Sequence, residues 1–282
     1  MRLEAPSNWE PSRIGPCYLL FEDGIGPVME AKWGKVRGRF SHAAQLKRLS
    51  TSRGRKRGAE VTPADLPSRW AAALSQFEGS GFSWRGEGME ARGAILYCPT
   101  CRRAGLIQFF NLGQGVRHED ALRVLASYRD HADSGWMVWS IFDIKALIPD
   151  SFQLLRHRFA AGNFELLFGA GGQKLCLHRW APARELLGRV DLAEFARVRI
   201  GFPGGAPVFT TWNARPVVEW VVSPAQGPGG KWWAGFKART PYKWLRLWHL
   251  ERRNRILGIR VEGRRPPEPG LLEAVCTAYE VV

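Results

Sequence analysis

The chain contains two copies of one sequence pattern, and this repeat limits the architectures that it can adopt. The stretch from Leu96 to Tyr128 recurs 151 residues later, from Leu247 to Tyr279. A repeat of about 140–150 residues has the size of an ordinary domain with its own core. The sequence therefore predicts two tandem domains, residues 1–134 and 135–282. The matched aromatic positions, which we expect in the two cores, are Trp9 and Phe152, Trp33 and Trp180, and Tyr128 and Tyr279.

Each copy combines short apolar segments with amphipathic ones. Residues 17–21 and 27–33 predict a hairpin, because a glycine-containing turn separates two apolar runs. Residues 63–77 and 119–131 place their apolar side chains at helical spacing. Strands do not alternate singly with long helices, so a parallel sheet is not expected. The predicted class is α+β: in each copy a mainly antiparallel sheet carries helices on one face, and the two copies are related by approximate two-fold symmetry.

The compartment follows from what the sequence lacks. No run of 18 apolar residues is present, so no membrane span is predicted. The first residues contain no apolar signal segment. Five cysteines are too few and too irregularly spaced for a disulfide framework. We therefore expect a cytoplasmic protein with reduced thiols.

The net charge of +15 is the strongest indication of a partner. Basic proteins attract polyanions such as nucleic acid, although the excess of arginine over lysine could also reflect genome composition. Residues 50–62 predict a mobile basic loop, and residues 231–253 interleave tryptophan with cations, a pattern typical of nucleic-acid binding and also of a half-buried sheet. The predicted phosphate contacts are Arg53, Arg55, Lys56, Arg57, Lys231, Lys243, Arg246, Arg252 and Arg253.

The pair Cys98 and Cys101 is the sharpest short motif, in a turn over residues 98–101. Two cysteines at this spacing can bind one side of a zinc ion, form a redox pair, or be ordinary thiols in a turn. A zinc site would need two more ligands from elsewhere in the fold. The candidates are Cys17, Cys176, His118 and His131. The repeat aligns the cysteines with His249 and Arg252 of the second copy, so the pair is not required by the shared frame.

No catalytic constellation is recognisable in the sequence. It contains no P-loop, no G-x-S-x-G and no HExxH motif. We therefore expect a binding protein without enzymatic activity, without catalytic residues and, zinc aside, without a cofactor. The leading hypothesis is that its basic surface engages nucleic acid or another polyanion. The alternatives are a small-molecule or lipid binder with an aromatic-lined cavity in each copy, and an adaptor that binds an acidic protein. A specific activity is expected in the parts that the copies do not share.

Overall fold

The computed structural model describes residues 2–57, 60–86, 88–131, 135–201, 206–223 and 242–282, with the side chains of 53–57 left out. The chain divides into two compact units, Met1–Ser134 and Gly135–Val282. None of the helices in the described ranges is long and apolar enough to cross a lipid bilayer.

Unit 1 is built on a seven-stranded antiparallel sheet with the order β1-β2-β3-β7-β6-β5-β4. Hairpins join neighbouring strands on each side of the sheet, and the central pair β3–β7 joins the two halves. The strands are β1 (Glu10–Gly15), β2 (Tyr18–Glu22), β3 (Pro27–Lys35), β4 (Glu60–Ala64), β5 (Glu78–Gly86), β6 (Met89–Cys98) and β7 (Arg103–Phe110).

Three helices cover both faces of this sheet: α1 (His42–Arg57), α2 (Ser68–Ala73) and α3 (His118–Ser127). Leu49 of α1 packs with Phe82, Trp84 and Ile95. The cluster on the other face contains Leu96 together with side chains of α2 and α3. Adjacent strand residues point to opposite faces, so Ile95 and Leu96 show that α1 lies opposite α2 and α3.

Unit 2 repeats the seven-stranded order as β10-β11-β12-β16-β15-β14-β13 and adds a three-stranded sheet, β17-β9-β8. The two similar seven-stranded sheets fit an internal duplication. The strands are β8 (Trp136–Ile141), β9 (Ile144–Pro149), β10 (Gln153–Ala160), β11 (Asn163–Ala170), β12 (Gln173–Trp180), β13 (Val208–Trp212), β14 (Arg215–Val222), β15 (Tyr242–Leu250), β16 (Arg255–Gly263) and β17 (Glu280–Val281).

The helices of unit 2 also cover both faces of their sheet. They are α4 (Ala183–Leu187), α5 (Leu192–Ile200) and α6 (Pro269–Ala278), with a short 3-10 turn at Glu251–Arg253. Leu247 of β15 packs with α4 and α5. The next residue, Trp248, contacts Tyr279 at the end of α6 on the opposite face. The small sheet adjoins that second face, where Trp139 meets Phe168.

The predicted α+β class is wrong, and the protein is mainly β. The helix expected over residues 63–77 shrinks to Ser68–Ala73, because Pro63 and its neighbours pair as strand β4 with β5. The strands around it run to nine and ten residues. Helices on a single face were also expected, whereas each sheet is covered on both sides. Strands buried on both faces lose the apolar–polar alternation that separates a strand from a helix in sequence.

The basic loop expected from residue 50 is helical as far as Arg57, since α1 spans His42–Arg57. Lysine and arginine are good helix formers, so a basic composition by itself does not exclude a helix. Leu49 anchors the middle of this helix in the core beneath it. Residues 58 and 59 lie outside the described ranges, and strand β4 follows from Glu60.

The two seven-stranded sheets share one strand order, but the offset between their equivalent residues differs by one from the sequence alignment. Cys98 pairs with Arg103 across the β6–β7 turn, as Leu250 pairs with Arg255 across β15–β16. Arg102 and Asn254, each one residue before the second partner, adopt the left-handed conformation with φ of 54° and 52°. The structural counterparts of the two cysteines are therefore Leu250 and Arg253, rather than His249 and Arg252.

One aromatic match changes for the same reason. Trp33 pairs with Gly105, and the corresponding pair in unit 2 is Arg179 with Leu257, so Trp33 corresponds to Arg179. Trp180 instead packs under α4 and α5. The other matched aromatics are buried in their own units: Trp9, Phe152, Tyr128 and Tyr279.

The sheet of unit 1 packs closely around Gly93 in β6, which leaves no room for a larger side chain. A Cβ at this position would lie 2.5 Å from the carbonyl oxygen of Ile107 and 2.5 Å from Cζ of the buried Phe82. Gly93→Ala should therefore lower the free energy of unfolding by about 1–3 kcal/mol, as overpacking does in other cores. Thermal unfolding followed by circular dichroism measures the loss. Gly34→Ala, in β3 with open space around its Cβ, is the matched control; equal stability of the two variants would contradict this packing.

Candidate metal centre and basic surface

Four potential metal ligands meet at one end of the unit 1 sheet. Cys98 ends β6, Cys101 lies in the turn to β7, and Asp130 and His131 follow helix α3. One ligand atom of each residue lies within 4.8 Å of the others. Cys98 and Asp130 are buried, and Cys101 and His131 are half-buried. We refer to these four residues as the cysteine cluster.

The carboxylate of Asp130 links the members of the cysteine cluster. The Cys101 thiol donates to its Oδ2 at 2.6 Å, and His131 Nδ1 lies 2.7 Å from its Oδ1. Cys98 Sγ lies 3.9 Å from His131 Nδ1. The thiol and imidazole groups therefore converge on one small volume beside the carboxylate.

Protonation in the cluster is set by burial and by these hydrogen bonds. Burial raises the pKa of the Cys101 thiol to about 12, and the hydrogen bond to Asp130 adds to the rise. Burial alone would raise the pKa of Asp130, but hydrogen bonds from Cys101 and Cys98 and the neighbouring His131 lower it overall. The cluster without a cation thus contains a protonated Cys101 and an ionised Asp130.

Local backbone structure holds both contributing segments in place. The turn is completed by the left-handed residue Arg102, and the backbone N–H of Arg103 donates to Cys101. The segment after α3 is tied down separately. Gln76 donates to the carbonyl of Tyr128, Arg103 donates to the carbonyl of Asp130, and Arg2 and Arg129 exchange backbone hydrogen bonds.

Of the ligands predicted to join the cysteines, the structure brings only His131 to them among the described residues. Cys17 is exposed, His118 begins α3 at its far end, and Cys176 lies in unit 2. Asp130 was missed, although it directly precedes His131 in the sequence. Its role follows from the end of α3 reaching the turn, a contact between distant segments that spacing along the chain does not reveal.

A second group in unit 2 contains Glu165, Cys176 and His178. The Glu165 carboxylate is bound by Arg156 at 2.6 Å. His178 stacks on Trp180, and burial lowers the pKa of His178 to about 3. Because the imidazole is then neutral, its approach to Glu165 at 3.8 Å is not an ion pair. Cys176 and His178 are buried, whereas Glu165 is half-buried.

A basic segment extends from the end of β3 through α1. Residues 35–57 contain nine lysines and arginines and no acidic residue. The described cations Lys35, Arg37, Arg39, Lys47 and Arg48 are exposed. In the part of the chain that the structure describes, none of these five pairs with a carboxylate. The side chains of Arg53, Arg55, Lys56 and Arg57 lie outside the described part.

The basic segment begins directly beside the cysteine cluster. Lys35 pairs with Arg103 in the β3–β7 ladder. The N–H of Val36 donates to the carbonyl of Arg102, and the Arg102 guanidinium donates to the carbonyl of Gly38. The turn that contains the cysteines therefore supports the connection that leads into α1.

The predicted cations of unit 2 have different surroundings. Arg252 and Arg253 are exposed, Lys243 is half-buried, and Lys231 lies outside the described residues. Arg246 is held by two carboxylates, Glu219 at 3.0 Å and Glu273 at 3.2 Å. Arg246 therefore belongs to an internal network. Trp244 and Trp248, which could have stacked on bases, are buried.

Known proteins show only weak similarity to this chain. No known family matches the sequence, and no curated protein matches it. A solved structure from Bacteroides thetaiotaomicron VPI-5482 is similar over 51% of this chain and 48% of its own length, with 13% identity and a TM-score of 0.28. The similarity thus spans about half the length of that structure.

The ion pairs of Arg246 with Glu219 and Glu273 should contribute to the stability of unit 2. Arg246→Gln leaves Glu219 and Glu273 facing each other without their cation, so it should lower the free energy of unfolding by about 1–3 kcal/mol. Arg252→Gln removes an exposed charge without a carboxylate partner among the described residues and should change stability by less than about 0.5 kcal/mol. Denaturant unfolding of both variants measures the difference. Similar stabilities would contradict the structural role of Arg246.

His178 should make part of the free energy of unfolding depend on pH. Its pKa is about 3 in the folded protein against an ordinary 6.5, so the unfolded chain binds the proton more readily. Stability is then complete above about pH 6.5 and falls by up to about 1.4 kcal/mol per pH unit below it. Replacing His178 with Phe, which can keep the stack on Trp180, should remove this component. Unfolding free energies at pH 7 and pH 5 measure it; an unchanged difference in the variant would refute the assignment.

Proposed function

We propose that the protein binds nucleic acid through the basic segment of unit 1, residues 35–57. The observation that carries the proposal is the segment's composition and exposure: nine cations, no acid, and five described side chains that are exposed and unpaired within the described part of the chain. Cations that are neutralised by nearby carboxylates contribute little to polyanion binding. The unpaired ones can release counterions from a phosphate backbone.

Helix α1 presents part of this segment on a fixed support. Leu46 and Leu49 pack toward the sheet, and Lys47 and Arg48 are exposed. Arginine offers forked donors that match the geometry of a phosphate group. We propose that Arg53, Arg55, Lys56 and Arg57, at the end of this helix, contact phosphates along with Lys47 and Arg48.

We propose that cations of unit 2 also contact the nucleic acid. Arg252 and Arg253 are exposed on the turn between β15 and β16. Lys243 and Lys231 are proposed to add weaker contacts. Arg246, which the sequence predicted to contact phosphate, is not part of the proposed contacts, because Glu219 and Glu273 bind its guanidinium. An acidic protein partner and an aromatic-lined ligand cavity remain predictions from the sequence.

Fluorescence anisotropy with labelled single- and double-stranded oligonucleotides tests the proposal. Affinity should fall steeply with salt, because each phosphate contact contributes a slope of about −0.7 to −0.9 in a plot of log affinity against log salt. Replacing Lys47, Arg48, Arg53, Arg55, Lys56 and Arg57 with glutamine should weaken binding by about tenfold or more at about 0.1 M salt and flatten this slope.

The control must remove equal charge from another exposed site. The double variant Lys47→Gln, Arg48→Gln is matched by Arg184→Gln, Arg189→Gln, which removes one exposed arginine in α4 and one just after it. The first should weaken binding several-fold and the second much less. Equal losses would point to a non-specific effect of net charge, and no binding of the unmodified protein at low salt would refute the proposal.

A further inference from the structure

We propose that Cys98, Cys101, Asp130 and His131 together bind one structural zinc ion in unit 1. Two thiolates, an imidazole and a carboxylate are the donor types that zinc takes in tetrahedral sites. The inference is independent of nucleic-acid binding, because it rests on the donors of the cysteine cluster and not on the basic segment.

The spacing of the donors fits such a site. Zinc lies about 2.3 Å from thiolate sulfur and about 2.0 Å from imidazole nitrogen or carboxylate oxygen, so tetrahedral ligand atoms are about 3.3–3.8 Å apart. In the cysteine cluster the ligand atoms lie within 4.8 Å of one another, and Cys98 Sγ is 3.9 Å from His131 Nδ1. The contacts of Asp130 with Cys101 and His131, at 2.6 and 2.7 Å, need to open by about 1 Å or less.

The protein holds these donors before a cation arrives. Cys98 and Cys101 belong to a turn that is fixed by the left-handed Arg102 and by the N–H of Arg103 on the Cys101 sulfur. Hydrogen bonds from N–H groups to metal-bound atoms are the usual means of orienting ligands in such sites. The Arg103 guanidinium also donates to the carbonyl of Asp130, in the segment after α3, at 3.2 Å. One residue therefore contacts both contributing segments.

Zinc binding releases protons from the two thiols and changes the charge of the cysteine cluster. Binding of Zn²⁺ forms two metal–sulfur bonds, and the Cys98 and Cys101 thiols each lose one proton to solvent. Asp130 binds as a carboxylate and His131 as neutral imidazole through Nδ1. The hydrogen bonds of Asp130 to Cys101 and His131 are exchanged for bonds to the ion. The resulting centre carries a net charge of about −1 next to the Arg103 guanidinium. With four protein ligands, its coordination is complete, which is typical of structural zinc.

Unit 2 supplies an internal comparison. In unit 2, the turn between β15 and β16 has Leu250 and Arg253 at the positions of the two cysteines. The segment after α6 has Val281 and Val282 at the positions of Asp130 and His131. None of these side chains can bind zinc in the way that the cluster can. All four ligand positions thus differ together between the copies, as expected of residues that act as a set. The copies share the left-handed turn residue, so the frame is common and the ligands are specific to unit 1.

The proposed zinc site lies next to the start of the basic segment and can therefore affect it. The zinc would link the β6–β7 turn to the end of α3. The same turn accepts a hydrogen bond from Val36 and donates one to Gly38. The metal therefore stabilises the support for residues 35–39, where the basic segment leaves the sheet.

Metal analysis of the purified protein tests the inference. We expect about one zinc per chain by plasma mass spectrometry. After removal of zinc with a chelator, the melting temperature should fall by about 5 °C or more and recover when zinc is returned. Substitution with Co²⁺ should give the intense visible bands of a tetrahedral site and a near-ultraviolet charge-transfer band from thiolate.

Variants assign the metal to the cysteine cluster. The double variant Cys98→Ser, Cys101→Ser should lose zinc and the cobalt spectrum. His131→Gln, at a half-buried side chain, should keep the fold and lower zinc affinity at least about tenfold. Cys17→Ser, at an exposed cysteine of the same unit, should behave as the unmodified protein. Less than about 0.1 zinc per chain after reconstitution, a Cys98–Cys101 disulfide under reducing purification, or zinc retained in the double variant would each overturn the proposal.

Discussion

The pairing of the third and last strands of each sheet is the interaction on which the rest of the structure depends. In unit 1, β3 and β7 are separated in sequence by about half of the unit, and their ladder runs from Met29–Phe109 to Lys35–Arg103. It joins two sets of hairpins, neither of which could bury its apolar faces alone. It also brings the start of the basic segment beside the turn of Cys98 and Cys101. Unit 2 repeats this ladder with β12 and β16.

This arrangement explains which sequence inferences held. The duplication was visible because buried aromatics recur at related positions, such as Tyr128 and Tyr279. The fold class was not visible, because strands covered on both faces, such as β6 and β15, bury adjacent residues and so lack a regular apolar–polar alternation. Their periodicity does not distinguish strand from helix. The one-residue shift at Leu250 also could not be read from the sequence. A strand match that is off by one moves every side chain to the other face, as the different environments of Trp33 and Trp180 show.

The candidate site was predictable only in part. The spacing of Cys98 and Cys101 was informative because both residues lie in one turn, and His131 was among the candidates. Asp130 required the position of α3, which is set by contacts across the core. Side chains such as Arg246 illustrate the opposite difficulty. Its sequence context suggests an exposed cation, but Glu219 and Glu273 lie far from it in sequence and reach it only in the folded sheet.

The segment that follows the last helix is fastened differently in the two copies. In unit 2, β17 adds to β9 with Glu280 opposite Lys145, and the N–H of Val282 donates to the carbonyl of Asp143. The carboxylate of Asp143 is in turn bound by Arg179 and Arg255, whose proximity lowers its pKa despite burial. In unit 1, the same segment ends in the cysteine cluster. The segment after the last helix is thus held by ion pairs and backbone hydrogen bonds in unit 2, whereas in unit 1 it joins a cluster of thiol, imidazole and carboxylate groups. Acid, which protonates Asp143, should consequently loosen unit 2, whereas oxidants and, under the zinc proposal, chelators should loosen unit 1.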